Sequence, residues 1–392
     1  MLNVFIVSGH DAAAPRKASL HFLMENLSRR KINVDFMTVG VSPFKFLKRS
    51  GYRFLPPFNT WAEVKPYVNK YVWFPPFHPF SLRNSLLNYA VWPLHTLYPF
   101  MLPASVVERI RKADVVVIES GIGLLLVQRI AALAPKAKMV YSVSDRLVTL
   151  SFHPIVTARE KRDLHYFDLI RVTASVMKSD FPDSAPVEYI PQGLDRDVFD
   201  QDVASPYTSP KNAISVGDML FDAPIIEKLA KSFPDWTFHL FGRGAKTSKK
   251  YPNIIEHGEQ PFATLMPYIK HADIGIAPYR ASPRADYLSQ SSLKMIQYTY
   301  CKLPIVAPDF VAAGRPHVLP FDSKAKDDHS LVNAFGLAID YNRESIDFSS
   351  VLNWDEVADR IIETVEGKTS VGFTPPFILP LHLPDCETLP VS

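Results

Sequence analysis

The chain has 392 residues, which accommodates two domains of ordinary size. Hydrophobic residues make up 47% and charged residues 21%, enough for full cores and incompatible with a disordered chain. Lys and Arg number 43 against 40 Asp and Glu, and a net charge of +3 excludes a nucleic-acid binder that works by bulk charge.

The N-terminal stretch Asn3–Ser8 is apolar, with no basic segment before it. It is too short for a secretory signal and predicts a buried first strand, hence a cytoplasmic compartment. Ala18–Arg30 predicts a helix and Asn33–Val39 a strand. The segment Phe44–Phe100 follows, with 16 aromatic residues. Its seven bases (Lys45, Lys48, Arg49, Arg53, Lys65, Lys70 and Arg83) face one acid, Glu63. Rings interleaved with bases suit an anionic membrane surface. The uncharged run from Asn84 to Val107 is broken by Pro93, Pro99 and Pro103, so it suits an interface rather than a span. Strands are predicted over Asp114–Glu119, Lys138–Val143, Leu169–Ala174 and Val187–Ile190, with helices over Gly123–Leu133 and Thr157–Tyr166. These strands are continuous apolar runs, as in a parallel sheet covered on both faces.

A Pro- and Ser-containing linker over 201–211 precedes a second set. Strands are predicted over Ala213–Gly217, Thr237–Gly242, Ile254–His257, Asp273–Pro278 and Pro304–Ala307. Helices are predicted near Ile225–Lys231 and over Phe262–Lys270 and Ser291–Tyr300. The class is α/β: two Rossmann-like, doubly wound domains facing a central cleft. The N-terminal domain is assigned to 1–200 and the C-terminal domain to 201–350. Residues 351–392 form a last helix and a proline-rich tail, the helix returning to the first domain. The first turn, Gly9-His10-Asp11-Ala12-Ala13-Ala14, lacks the glycines of a dinucleotide cradle. Two cysteines, Cys301 and Cys386, make neither a disulfide framework nor a zinc site.

Ligand signals concentrate in the second half. Gly217-Asp218-Met219 leaves a strand ahead of a helix, where backbone N–H groups can face an anion. Ser291 and Ser292 are capping residues, and Lys294 and Gln297 share one face of the helix they open. A helix N-terminus plus a lysine holds a diphosphate without a metal. Asp195-Arg196-Asp197 has the spacing of a metal-binding pair but lies by the linker, where turn and cap roles are the better reading.

Taken in order, several short motifs resemble glycosyltransferase family 70, the xanthan-type glucuronosyltransferases. In the first half they are Ser8-Gly9-His10-Asp11, Pro15-Arg16, His21-Phe22, His78-Pro79-Phe80, Glu119-Ser120-Gly121-Ile122 and Ser144-Asp145. In the second they are Val216-Gly217-Asp218-Met219, Tyr268 to Ala272, Gly275 to Tyr279, Ser291 to Tyr298, and Asn353-Trp354. The resemblance covers nearly the whole chain. It implies a GT-B fold and an inverting, metal-independent transfer with no cofactor. The donor would be a UDP-sugar, most simply UDP-glucuronate, and the acceptor an oligosaccharide on a polyprenyl diphosphate in bacterial exopolysaccharide synthesis. The enzyme would act as a peripheral, monotopic protein at the cytoplasmic face of the inner membrane.

The resemblance carries the catalytic base onto Asp145 and donor contacts onto Met219, Glu259, Tyr279, Leu293, Lys294 and Gln297. The family's Met at Leu293 and Gly at Arg146 are departures. His10, Asp11 and Glu119, at strand ends, are acceptor-side candidates, although His10-Asp11 also reads as an Asx-type turn. Arg146, Arg280 and Arg284 are candidate partners for a sugar carboxylate. The alternative is a GT-B transferase or epimerase with another UDP-sugar and a soluble acceptor.

Overall fold

The computed structural model describes residues 2–14, 17–43, 56–82 and 84–367. The predictions placed on Pro15, Arg16, Lys45, Lys48, Arg49, Arg53, Arg83 and the tail beyond 367 lie outside these residues.

The strands are β1 (Asn3–Ser8), β2 (Asn33–Thr38), β3 (Trp61–Lys65), β4 (Val68–Val72), β5 (Val115–Glu119), β6 (Lys138–Val143), β7 (Leu169–Val172) and β8 (Val187–Tyr189). They form one sheet in the order β3-β4-β2-β1-β5-β6-β7-β8, with β3 antiparallel to its neighbour. After them come β9 (Asn212–Val216), β10 (Thr237–Phe241), β11 (Ile254–Gly258), β12 (Ile274–Ile276), β13 (Ile305–Pro308) and β14 (Val318–Phe321). These make a parallel sheet in the order β11-β10-β9-β12-β13-β14. Strands β1, β5 and β6 are buried almost throughout, which is why their sequences are unbroken apolar runs.

Strand order reverses between β1 and β5 in the first sheet and between β9 and β12 in the second. At such points the connections leave in opposite directions and open a crevice at the carboxyl ends of the strands. Those two crevices carry the residues described below.

The 44–100 segment differs from its sequence reading. It contributes the edge hairpin β3–β4, turned at Pro66-Tyr67, with Tyr67 at φ +65°. Lys70 is buried against Asp11 at 3.3 Å, and Lys65 pairs with Glu25 at 2.9 Å. Trp73 is buried and Trp61 lies under the Arg109 guanidinium at 4.5 Å. These bases and rings are structural, so the described part of this segment is not a basic face. The sequence reading had no counterpart for β3, β4, β14 or the helices Ser85–Thr96, Ala104–Arg111 and His329–Ile339. The helix near 225 starts at Ala223, six residues beyond Gly217, so its N-terminus does not adjoin the glycine turn.

The helix Trp354–Val365 leaves the second domain and packs on the helix Ser19–Arg29 of the first. The Trp354 ring stacks on Phe22 at 5.6 Å, and Leu194 donates its N–H to the Leu352 carbonyl at 2.8 Å. Asp195 is buried 3.5 Å from Arg29, and Arg196 donates to the Val351 carbonyl at 2.5 Å, so Asp195-Arg196 joins the last helix to the first domain. Among the described residues, no helix is long and apolar enough to cross a membrane.

Candidate functional site

Asp145 follows Ser144 at the carboxyl end of β6, on the N-terminal rim of the cleft. Its Oδ1 accepts a hydrogen bond of 2.8 Å from the hydroxyl of Tyr287, which belongs to the other domain. Burial pushes the Asp145 carboxyl above the usual range, the Tyr287 bond opposes this, and the Glu119 charge adds to it. A raised carboxyl at a cleft suits a proton acceptor working near neutral pH.

Glu119 ends β5, the strand beside β6, and is also raised, chiefly by burial. The Ser8 hydroxyl donates to its Oε2 at 2.5 Å. His10 is exposed one turn beyond β1, with its N–H donated to Ser8 Oγ at 3.0 Å. Glu119, His10 and Asp145 thus converge at the ends of three adjacent strands, and both other groups act electrostatically on Asp145. Asp11 does not join them. It is buried with Lys70, and its Oδ1 accepts from Ala13 N–H at 2.9 Å. That is the Asx turn.

The opposite rim is built on the helix Leu293–Tyr300. Ser292 caps it, and the Tyr279 hydroxyl meets the Ser292 hydroxyl at 2.6 Å. Lys294 Nζ lies 4.6 Å above the Tyr279 ring. A Cβ on Gly217 would stand 3.9 Å from that ammonium, so the lysine leans over bare backbone at the end of β9. With φ at +84°, Gly217 holds a conformation that favours glycine. Gln297 is buried one turn along the helix from Lys294, while Met219 and Leu293 are half-buried. Glu259 follows β11, exposed and paired with Arg243. A lysine, a capped helix start and an open glycine turn together offer positive potential without side-chain bulk, the requirement for a diphosphate.

Sequence reasoning missed how the rims are joined. Arg146 is buried and makes a 2.6 Å bond to Asp180 of its own domain. It also makes a 2.6 Å bond to Asp286 and a 2.8 Å bond to the Arg284 carbonyl across the cleft. Arg284 pairs with Asp180 as well. Arg146 and Arg284 are therefore engaged by carboxylates of the chain. Of the three arginines, Arg146 is buried while Arg280 and Arg284 are exposed. Tyr287 carries no spacing signal, since its partner lies 142 residues away in sequence.

On the first domain, the helix Ser85–Thr96 turns Asn88 and His95 inward, seven residues apart on one stripe. His153 Nε2 donates to the Asn88 carbonyl at 2.9 Å, and the His95 and His153 rings meet edge-on at 4.5 Å. The rest of the helix is open: Leu86 is 79%, Leu87 52% and Tyr89 79% exposed, with Phe100 beyond it at 74%. A contiguous apolar patch of this kind marks a contact surface.

Two facing doubly wound sheets with a carboxylate on one rim and a lysine helix on the other define a GT-B glycosyltransferase. A trehalose-phosphate synthase from Burkholderia xenovorans shares the fold at TM-score 0.59 and 12% identity, covering 93% of this chain and 100% of that one. A glycosyltransferase from Rickettsia africae does so at 0.55 and 12%, covering 94% and 98%. Residues 6–173 match the family described as glucuronosyltransferase GumK, N-terminal domain. Over 361 residues the chain is 30% identical to the UDP-glucuronate:glycolipid 2-beta-glucuronosyltransferase of Xanthomonas campestris pv. campestris, spanning 91% of this chain and 88% of that protein. The chain belongs to the GumK glucuronosyltransferase family.

Proposed function

We propose that the protein transfers glucuronate from UDP-glucuronate to a hydroxyl of an oligosaccharide carried on a polyprenyl diphosphate, with inversion and without a metal. Asp145 takes the acceptor proton as the acceptor oxygen bonds to the anomeric carbon, and the bond from that carbon to the diphosphate breaks on the opposite face. Lys294 and the start of its helix hold the charge that develops on the departing UDP. Gln297, Glu259 and Tyr279 contact the diphosphate and ribose, with Met219 and Leu293 beside the base. His10 and Glu119 line the acceptor side.

The observation that carries this reading is the Tyr287–Asp145 bond. It brings the proton acceptor and the donor helix's own loop to one point of the cleft. Membership in the glucuronosyltransferase family supports the donor. The exposed Leu86, Tyr89 and Phe100 support a lipid-borne acceptor, since an enzyme with a soluble acceptor has no use for an open apolar helix. Working as a peripheral protein at the cytoplasmic face of the inner membrane, in exopolysaccharide synthesis, follows from that pairing of substrates.

The test is transfer from a panel of UDP-glucuronate, UDP-glucose and UDP-galactose to lipid extracted from membranes, with and without EDTA. Asp145→Asn is expected to abolish transfer while retaining UDP binding. Turnover by Asp145→Asn would remove it as base, preference for UDP-glucose would overturn the donor, and loss of activity in EDTA would overturn the metal-free step.

A further inference from the structure

The segment from Tyr279 to Ser292 joins the end of β12 to the lysine helix, so both its ends belong to the donor rim. At its start, Arg280 donates its N–H to the Leu220 carbonyl at 2.7 Å, and Tyr279 bridges Phe221, which fastens it to the Gly217–Phe221 turn. Its middle crosses the cleft. Arg284 enters a short 3₁₀ turn at φ +60°, with Ala285–Tyr287 following. Several contacts then reach the first domain. Asp286 and the Arg284 carbonyl receive Arg146, Gln290 Oε1 accepts from Ser175 N–H at 2.6 Å, and Tyr287 donates to Asp145. The Tyr287 hydroxyl also lies 3.3 Å from Thr149 Oγ1, and its ring is fully buried, so it has one orientation.

The geometry points to Tyr287 as the positioning residue of Asp145, supplied by the donor domain so that the base is aimed only when the two domains are clasped through Arg146. A hydroxyl held at Oδ1 fixes the carboxylate plane and leaves Oδ2 for the acceptor. The loop ends in the diphosphate-holding helix. Filling the donor site therefore steadies the same segment that aims the base. This rests on the reading of Asp145 as base and adds to it a dependence of the base on the opposite domain.

The test compares Tyr287→Phe and Asp286→Asn with the unaltered protein and with Asp145→Asn, using UDP-glucuronate and extracted lipid acceptor. Loss of a hydrogen bond to a charged group predicts that Tyr287→Phe lowers kcat roughly 10- to 100-fold. UDP affinity by titration calorimetry and the melting temperature stay close to wild type. The acid limb of the kcat profile moves to higher pH, because the lost bond favoured the ionised carboxylate. Asp286→Asn, at a half-exposed end of the clasp, lowers kcat in the same direction without moving that limb. The inference is overturned if Tyr287→Phe keeps wild-type kcat and the same acid limb, or if it changes only melting and UDP affinity. Turnover by Asp145→Asn would instead overturn the base, whatever Tyr287→Phe does, so the two failures are separable. If Tyr287→Phe folds poorly, Thr149→Ala keeps the ring and removes one of its two polar neighbours. It must then lower kcat with donor KM unchanged, and an unchanged kcat overturns the inference.

Discussion

Replacing Gly275 by alanine tests what holds the helix Leu293–Tyr300 in place. Gly275 lies in β12, in register with Ile214 of β9 and Ile305 of β13. A Cβ there would stand 2.4 Å from Tyr298 Cδ2 and 2.8 Å from its Cγ. Carbon atoms rest about 3.5–4.0 Å apart, so the ring or the strand must shift by about 1 Å. The ring cannot swing aside: its hydroxyl accepts from Val216 N–H at 3.0 Å and donates to the Ile214 carbonyl at 3.3 Å. The strand is bonded on both sides, which leaves the helix Leu293–Tyr300 to move. Overpacking of this kind costs about 1–3 kcal/mol. At about 2–4 °C per kcal/mol, the domain should melt about 2–12 °C lower. Tyr298 sits one turn beyond Lys294, and a 1 Å displacement of a binding group costs up to about 100-fold in rate. Thermal unfolding and donor KM are the measurements. An unchanged melting temperature and KM would refute the reasoning. Most of the penalty should vanish in a Tyr298→Leu background, since the colliding ring is gone.

Lys294→Ala should weaken UDP binding and lower turnover, as measured by calorimetry and transfer rate, while Lys294→Arg restores part of both. Leu86→Ser with Tyr89→Ser should reduce co-sedimentation with anionic vesicles, since these side chains are 79% exposed and carry no core packing; unchanged pelleting would count against the helix as the lipid contact. His95, His239 and His317 have pKa values pushed from 6.5 down to about 4 by burial. The unfolded chain binds protons below pH 6.5 that the folded chain refuses, so their stabilisation is complete above 6.5 and fades as pH falls toward 4. Among the described residues neither buried ring nitrogen of His95 has a hydrogen-bond partner, so His95→Leu should hold or raise the urea midpoint and flatten its fall between pH 6.5 and 4.

What could be read from the sequence was local. Strands such as β1 and β5 announce themselves because both faces are covered, and every residue from Val4 to Val7 is apolar. Lys294 and Gln297 were legible because one helical turn places them together. The edge strands β3 and β4 were not, because Glu63, Lys65, Asn69 and Lys70 interrupt their apolar pattern. Lys70 looks like a surface charge until its partner Asp11 arrives from 59 residues away. Tyr287, Arg146 and Asp286 escaped for the same reason: their meaning is a meeting across the cleft, 140 residues apart in sequence for the Arg146–Asp286 bond.

The return of the last helix sets an order on synthesis. Phe22 emerges early and is covered by Trp354, which emerges only after the whole second sheet has been made. Arg30, at the end of the same early helix, waits for Asp359. The first domain to leave the ribosome is thus the last to be finished, and it carries an uncovered apolar face until the second domain is complete. A chain truncated before residue 354 loses more than its end: it strands the first domain half-built.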